Sequence, residues 1–328
     1  MSERLIATIG MGLLLLGGCM VPQREAARVR LAAAEEALAA NDLGVALREL
    51  QQAVKLDPQL AEGHKKLGQV YARTGKLEQA AEQLETAVSL DPRDAEAFFD
   101  LGEVYRLLDR LAQAIRAYAA ACDLDPRNFD ARFRLAAAYH QGGSLQDAIE
   151  QYRAALELEP RNARAWSNLG AAYDALGKQY QAIHAYKQSL ECDTNQPIVL
   201  VNLATVYLNQ ERFETARRTL LAAVRMAPNL SVAHERLGYC YWRERRYPEA
   251  LQSYRTAIAI NDENARAHAG LGVVLMTQYL MNPADIASRD QAIEAWHRSL
   301  EIDPDQPKLL ALLEKYRPRS EPPVLSYD

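Results

Sequence analysis

The chain has 328 residues, 49% hydrophobic and 25% charged, a foldable composition that excludes disordered and collagen-like classes. Only 16 glycines and 14 prolines argue against a turn-rich all-β protein and for long helices. With 38 basic and 43 acidic residues the net charge is −5, which disfavours bulk electrostatic binding of nucleic acid.

A short polar start, Met1 to Arg4, precedes an apolar run from Leu5 to Gly18. That run suits a secretory signal better than a spanning helix of roughly 20 residues. It ends Leu16-Gly17-Gly18-Cys19, which resembles the lipobox of bacterial lipoproteins. The resemblance implies that residues 1–18 are a signal peptide and that Cys19 becomes a lipidated N-terminus, with 19–26 as a short linker. The other reading is an uncleaved anchor from Leu5 to Pro22, since Arg24, Arg28 and Arg30 follow the run. Both readings tether the chain at its N-terminus.

Tyr71, Tyr105, Tyr139, Tyr173, Tyr207 and Tyr241 then recur every 34 residues. With position 1 at Ala27, units span 27–60, 61–94, 95–128, 129–162, 163–196, 197–230, 231–264 and 265–306. Position 7 is Leu in seven units, from Leu67 to Leu271, and position 8 is always Gly or Ala. Position 20 is Ala throughout, including Ala46, Ala148, Ala182 and, shifted, Ala292. Position 32 is Pro in six units, Pro58 among them. This pattern resembles the tetratricopeptide repeat family. The resemblance implies an all-α, right-handed superhelical solenoid of about eight helix-turn-helix units.

Simple physics accounts for the conserved spacing within the chain. Small residues at positions 8 and 20 let two antiparallel helices approach, and Pro at 32 cannot continue the second helix. Asn41, Gly75, Asp109, Gly143 and Gly177 at position 15 suit a left-handed turn. Unit eight carries eight extra residues, expected between its helices around Thr277 to Asp290. Residues 307–317 read as an amphipathic capping helix, and 318–328 as a disordered tail.

Chemistry-bearing residues are sparse. Cys122, Cys192 and Cys240 fall on apolar rows of separate units and read as core filler. His64, His234 and His268 share position 4, where Trp166 stands in unit five, and read as structural. No histidine pair has metal-ligand spacing, and no phosphate loop or nucleophile motif occurs. No catalytic residue, metal or cofactor is expected, and no enzyme activity.

In the family, positions 2, 5, 9, 12 and 13 of the first helix line a concave groove. Those positions in units one to three hold eight charges, whereas units four to six hold three: Asp130, Arg164 and Asp174. The candidate peptide groove is therefore Phe99, Phe133, Ile198, Val201, Leu208, Tyr239 and Trp242, with Asn168, Asn202 and Arg236 at position 6. Apolar groups can anchor a peptide and Asn amides can pair with its backbone. For any one residue, packing against a neighbour is an equal alternative. The carboxylate clamp of chaperone-binding members is matched at two of five positions, so that function is not carried over.

The expectation is a non-enzymatic scaffold or adaptor that binds protein or peptide partners and the membrane through its lipid, but no nucleic acid. Its place would be the periplasmic side of the bacterial envelope, with Met20 after the cysteine favouring the outer membrane by analogy. Alternatives are a docking subunit of an envelope polysaccharide synthesis or export complex, or a scaffold tethered on the cytoplasmic side.

Overall fold

The computed structural model describes residues 22–316, and among these only helices and their connections occur. The first helices are α1 (22–39), α2 (Leu43–Leu56), α3 (Ala61–Arg73), α4 (Leu77–Leu90), α5 (Ala95–Leu107), α6 (Leu111–Leu124), α7 (Phe129–Gln141) and α8 (Leu145–Leu158). Then follow α9 (Ala163–Ala175), α10 (Gln179–Cys192), α11 (Pro197–Asn209), α12 (Phe213–Met226), α13 (Ser231–Arg243) and α14 (Tyr247–Ile260). The last are α15 (Ala265–Met281), α16 (Ile286–Ile302) and α17 (Pro307–Tyr316). From α3 to α14, helix A occupies positions 1–13 and helix B positions 17–30 of each repeat. The all-helical, eight-repeat expectation holds.

The chain divides into two compact units, one ending at Pro160 and one beginning at Arg161. Within each, the two helices of a repeat pack as a hairpin and helix B packs on the next helix A. Helix A also touches the next helix A, as in α3–α5, α9–α11, α11–α13 and α13–α15. Within each unit the A helices thus form a layer in which neighbouring repeats meet directly.

The largest fully buried side chains mark what fills each hairpin. Tyr118, Tyr152, Tyr186, Leu50, Leu84 and Leu220 all stand at position 24, on helix B, as does Trp296 once the eight extra residues of repeat eight are allowed for. Position 8 of helix A faces them: a methyl group on Gly170 would stand 2.7 Å from Cδ1 of Tyr186, and one on Gly272 2.4 Å from Cδ1 of Trp296. The small residue is therefore there to seat a ring as well as to let backbones approach.

Local signals also start and stop the helices. Asp94, Asn128, Asn162 and Asn264 cap helix A by accepting the N–H three residues on. Every repeat from one to seven turns through a left-handed residue at position 15, including Asn41 and Asp109. Repeats six and seven place Glu211 (φ 58°) and Arg245 (φ 61°) there, although neither is a residue that favours this conformation.

Two expectations about segment boundaries are corrected. Residues 22–26 are not a linker: they are helical and continuous with helix A of repeat one. The eight extra residues of repeat eight do not form a loop between helices. They lengthen both, so that α15 and α16 have 17 residues each where other repeats have 13 and 14. Sustained helical patterning on both sides of Asn282–Asp285 makes added turns cheaper than a long loop. α17 packs on the end of repeat eight through Leu309 and Leu313. Residues 1–21 and 317–328, which include the lipobox and the tail, lie outside the described residues.

Candidate functional site

Position 4 of helix A is a fastening point between repeats. His64, His234 and His268 each place Nε2 within 2.9–3.2 Å of the position-32 carbonyl of the preceding repeat, at Pro58, Pro228 and Asp262. A carbonyl only accepts, so Nε2 carries the proton. Arg132 does the same through Nε to Pro126 at 2.9 Å. These histidines are structural, as expected. Cys122 and Cys240 are buried, and burial pushes their thiols up to about 11 and about 12, outside the reactive range. Cys192 is partly buried. Among the described residues no group of His, Cys, Asp or Glu is arranged to hold a metal ion.

The A-helix layer differs between the two units. In the first, its charges are paired with one another. Lys65, almost wholly buried, lies 3.0 Å from carboxylates of Glu62, Asp94 and Glu96. Burial alone would lower its pKa, but those hydrogen bonds hold it above the usual lysine range. Lys66 lies 3.2 Å from Glu35 and from Glu62. Arg134 lies 3.0 Å from Glu103, which also accepts from Arg106 and from the Tyr118 hydroxyl. Gln69 donates to Asp100 at 2.6 Å, yet burial pushes that carboxyl up to about 6. The expected groove residues of this unit are occupied with packing. Phe99 lies half-buried against the Tyr118 ring, 5.9 Å between centroids. Phe133 is only 6% exposed and sits between Phe129 and Tyr152, so it is core and not a surface anchor.

In the second unit Val201 is likewise corrected to core, at 3% exposure within the cluster around Leu203 and Leu220. Side chains at positions 2 and 5 point toward either solvent or the adjoining A helix, and spacing alone does not say which. Ile198, by contrast, is 53% exposed on α11. Leu208 is half-buried in the last turn of that helix. On α13, Tyr239 and Trp242 form a tilted ring pair at 5.9 Å. Arg243 lies over Phe213 at 4.2 Å and donates to the Tyr239 hydroxyl at 2.8 Å. This aromatic edge is preassembled on the A-helix layer.

The polar row at position 6 runs Asn168, Asn202, Arg236 along α9, α11 and α13. Among the described residues the side-chain amides of Asn168 and Asn202 have no hydrogen-bond partner. Nε of Arg236 is fully buried and has no partner. Two carboxylates share this surroundings, Asp174 on α9 and Glu235 on α13. Burial raises the pKa of each, partly opposed by nearby positive charge, that of Arg236 for Asp174 and those of Arg236 and Arg266 for Glu235. The groove positions of the sequence include Asp174 but do not single out Glu235, because a single acid on a helix gives no sign of whether it will be paired.

A second concavity, about 690 Å³, lies on the other side of this unit between α14, α15 and α16. Its charges are largely satisfied internally: Arg298 lies 3.0 Å from Asp262 and 3.1 Å from Glu301.

Models of tetratricopeptide repeats match residues 38–75 and 138–177, residues 65–128 and 201–265, and residues 163–196. Together these segments make up more than half of the chain. No curated protein matches. Among solved structures, the MamA protein is 29% identical, with a TM-score of 0.50 over 52% of this chain and 93% of that one. Pseudomonas aeruginosa pilF is 23% identical, with a TM-score of 0.56 over 69% of this chain and 100% of that one. A tetratricopeptide repeat protein from Parabacteroides merdae is 17% identical, with a TM-score of 0.59 over 77% and 97%. The last two show likeness of fold alone. The 34-residue period, the position-by-position packing and the matched repeat models agree, and the chain belongs to the tetratricopeptide repeat family.

Proposed function

We propose that the chain is a non-enzymatic interaction scaffold of the bacterial cell envelope, tethered through a lipid on Cys19, that holds extended segments of partner proteins. Tetratricopeptide repeats are in general protein-interaction modules. The observation that carries the reading is the contrast between the two A-helix layers. Residues of the first spend their charges on each other, whereas α9, α11 and α13 present apolar and aromatic groups beside amides without partners. Such a surface gains hydrogen bonds and buries apolar area when a chain lies on it. Helix begins by residue 22, so a lipid on Cys19 would hold repeat one close to the headgroups.

A double variant, Leu208→Ala with Trp242→Ala, tests the groove. Loss of two anchors should weaken a partner captured by crosslinking by roughly thirtyfold or more, with helicity by circular dichroism near wild type. Cys19→Ala tests the tether: it should leave unprocessed precursor and abolish detergent partitioning. Unchanged processing and partitioning of that variant would exclude the lipid.

A second reading rests on the hairpin tip of repeat eight. Leu280, Met281 and Ile286 are 54%, 68% and 53% exposed around the turn that joins the lengthened helices. Docking of a catalytic partner through this tip would make the chain a subunit of an envelope enzyme complex. Replacing Tyr279-Leu280-Met281 by Ser-Gly-Ser separates the readings: it spares capture if the groove binds and abolishes it if the tip binds.

A further inference from the structure

We propose that the proline-bearing segment after α17, Pro322-Pro323-Val324-Leu325, folds back onto the A-helix layer of its own chain. It occupies the notch between α13 and α15 and competes there with partner segments for Trp242. The competition rests on the groove reading above; the contact itself does not.

The notch holds a buried donor without an acceptor. Tyr254 on α14 is 3% exposed. Its ring passes Gly238 of α13 and ends against α15, where a methyl group on Gly270 would stand 2.6 Å from Oη. Gly270 continues, at position 6, the row of Asn168, Asn202 and Arg236, and it puts no side chain over that hydroxyl. Burial, and then the nearby Glu235 charge, keep the proton on the oxygen. Yet among the described residues the hydroxyl has no hydrogen-bond partner. In repeat three the corresponding hydroxyl, of Tyr118, donates to Glu103 at position 9. Position 9 of repeat seven is Tyr239, whose own hydroxyl already accepts from Arg243. The indole N–H of Trp242, which pairs rings with Tyr239, also has no partner among the described residues. A donor left so carries a desolvation cost until an acceptor reaches it.

Donors flanked by ring faces suit a polyproline segment. Its carbonyls project outward, its prolines bring no competing N–H, and their rings pack on aromatic side chains. The chain carries such a segment within reach. α17 packs on α16 and buries Leu313 at position 7 of a further repeat, so it stands where a ninth helix A would. The chain therefore leaves Tyr316 on the layer, and near the helix end, that carry Tyr239 and Trp242. Tyr316 lies 6.4 Å from Trp296 between ring centroids, and Trp296 fills the space beside Gly272, two residues from Gly270. With helical spacing along α15, the path from Tyr316 to the notch is about 20 Å. A polyproline helix from Tyr316 to Pro322 spans about 19 Å.

The test uses the full chain in detergent, with Leu325 replaced by the photoreactive p-benzoylphenylalanine and crosslinks mapped by mass spectrometry. Crosslinks should fall within residues 231–281 of the same chain. Tyr254→Phe removes only the hydroxyl, and Pro322→Ala with Pro323→Ala changes only the segment. Each should lower the yield at least about threefold, with circular dichroism unchanged. The proline variant should also strengthen capture of a partner through Leu208 and Trp242 at least about threefold, because a tethered competitor acts at high effective concentration. Crosslinks elsewhere, or yields that ignore both variants, would overturn the proposal. Crosslinks joining two chains would overturn it in favour of a second copy. In each case the groove reading stands if capture still depends on Leu208 and Trp242. Unchanged capture in the proline variant would overturn the competition. Mapped contacts as expected, with no partner that depends on Leu208 and Trp242, would overturn the groove reading and leave the folded-back segment.

Discussion

A methyl group on Gly102 would stand 2.5 Å from Cδ1 of Tyr118, closer than any side-chain carbon tolerates, so the ring of helix B in repeat three occupies the space that glycine leaves on helix A. The same match of glycine and ring recurs at Gly170 with Tyr186 and Gly238 with Tyr254. Where position 24 is Leu220, position 8 is Ala204. Gly102→Ala should therefore overpack and destabilise by about 1–3 kcal/mol. Repeat four combines Ala136 with Tyr152, which places the expected cost toward the lower end. Adding Tyr118→Leu should recover part of the loss, and a double-mutant cycle from urea melts would measure that coupling. Strict additivity would refute the pairing.

The turn of repeat seven offers a gain. Arg245 adopts φ 61° in an exposed turn, a conformation costing a non-glycine residue roughly 1–2 kcal/mol. Arg245→Gly relieves that, less the extra chain entropy of glycine. A net gain of about 0.5–1 kcal/mol in urea is expected, and a lower midpoint would contradict it.

Asp100 predicts a pH dependence of stability. Its folded pKa, about 6, lies above the ordinary aspartate value of 3.8 because burial disfavours the charged form. The folded state then binds the proton more tightly, so stability falls as pH rises from about 4 to about 6. Asp100→Asn should remove this slope and stabilise the protein at pH 7 by about 1–2 kcal/mol, since partial solvent access weakens the effect. Parallel melts at pH 4.5 and 7 would decide it.

Phe133 and Leu208 were expected to act alike and should behave differently. Phe133→Ala empties a buried site between Phe129 and Tyr152 and should cost about 3–5 kcal/mol of stability. Leu208→Ala, half-buried, should cost less and act mainly on binding. Thermal melts of the two single variants would show the difference, and equal melting temperatures would place Phe133 back on the surface.

Repeat number, helix pairs, left-handed turns at Asn41 and Gly75, and the structural role of His64 were all legible in the sequence. Each depends on spacing within one repeat or between adjacent ones, and a 34-residue period repeats that information eight times. Lengthened helices in repeat eight, the seating of Tyr118 over Gly102 and the burial of Phe133 and Val201 were decided by tertiary packing. So was the contrast between enclosed Lys65 and unpaired Arg236. A position number says which side of a helix a residue occupies. How closely the next helix approaches there, and whether it brings a counter-charge, depends on side-chain volumes and charges on separate helices.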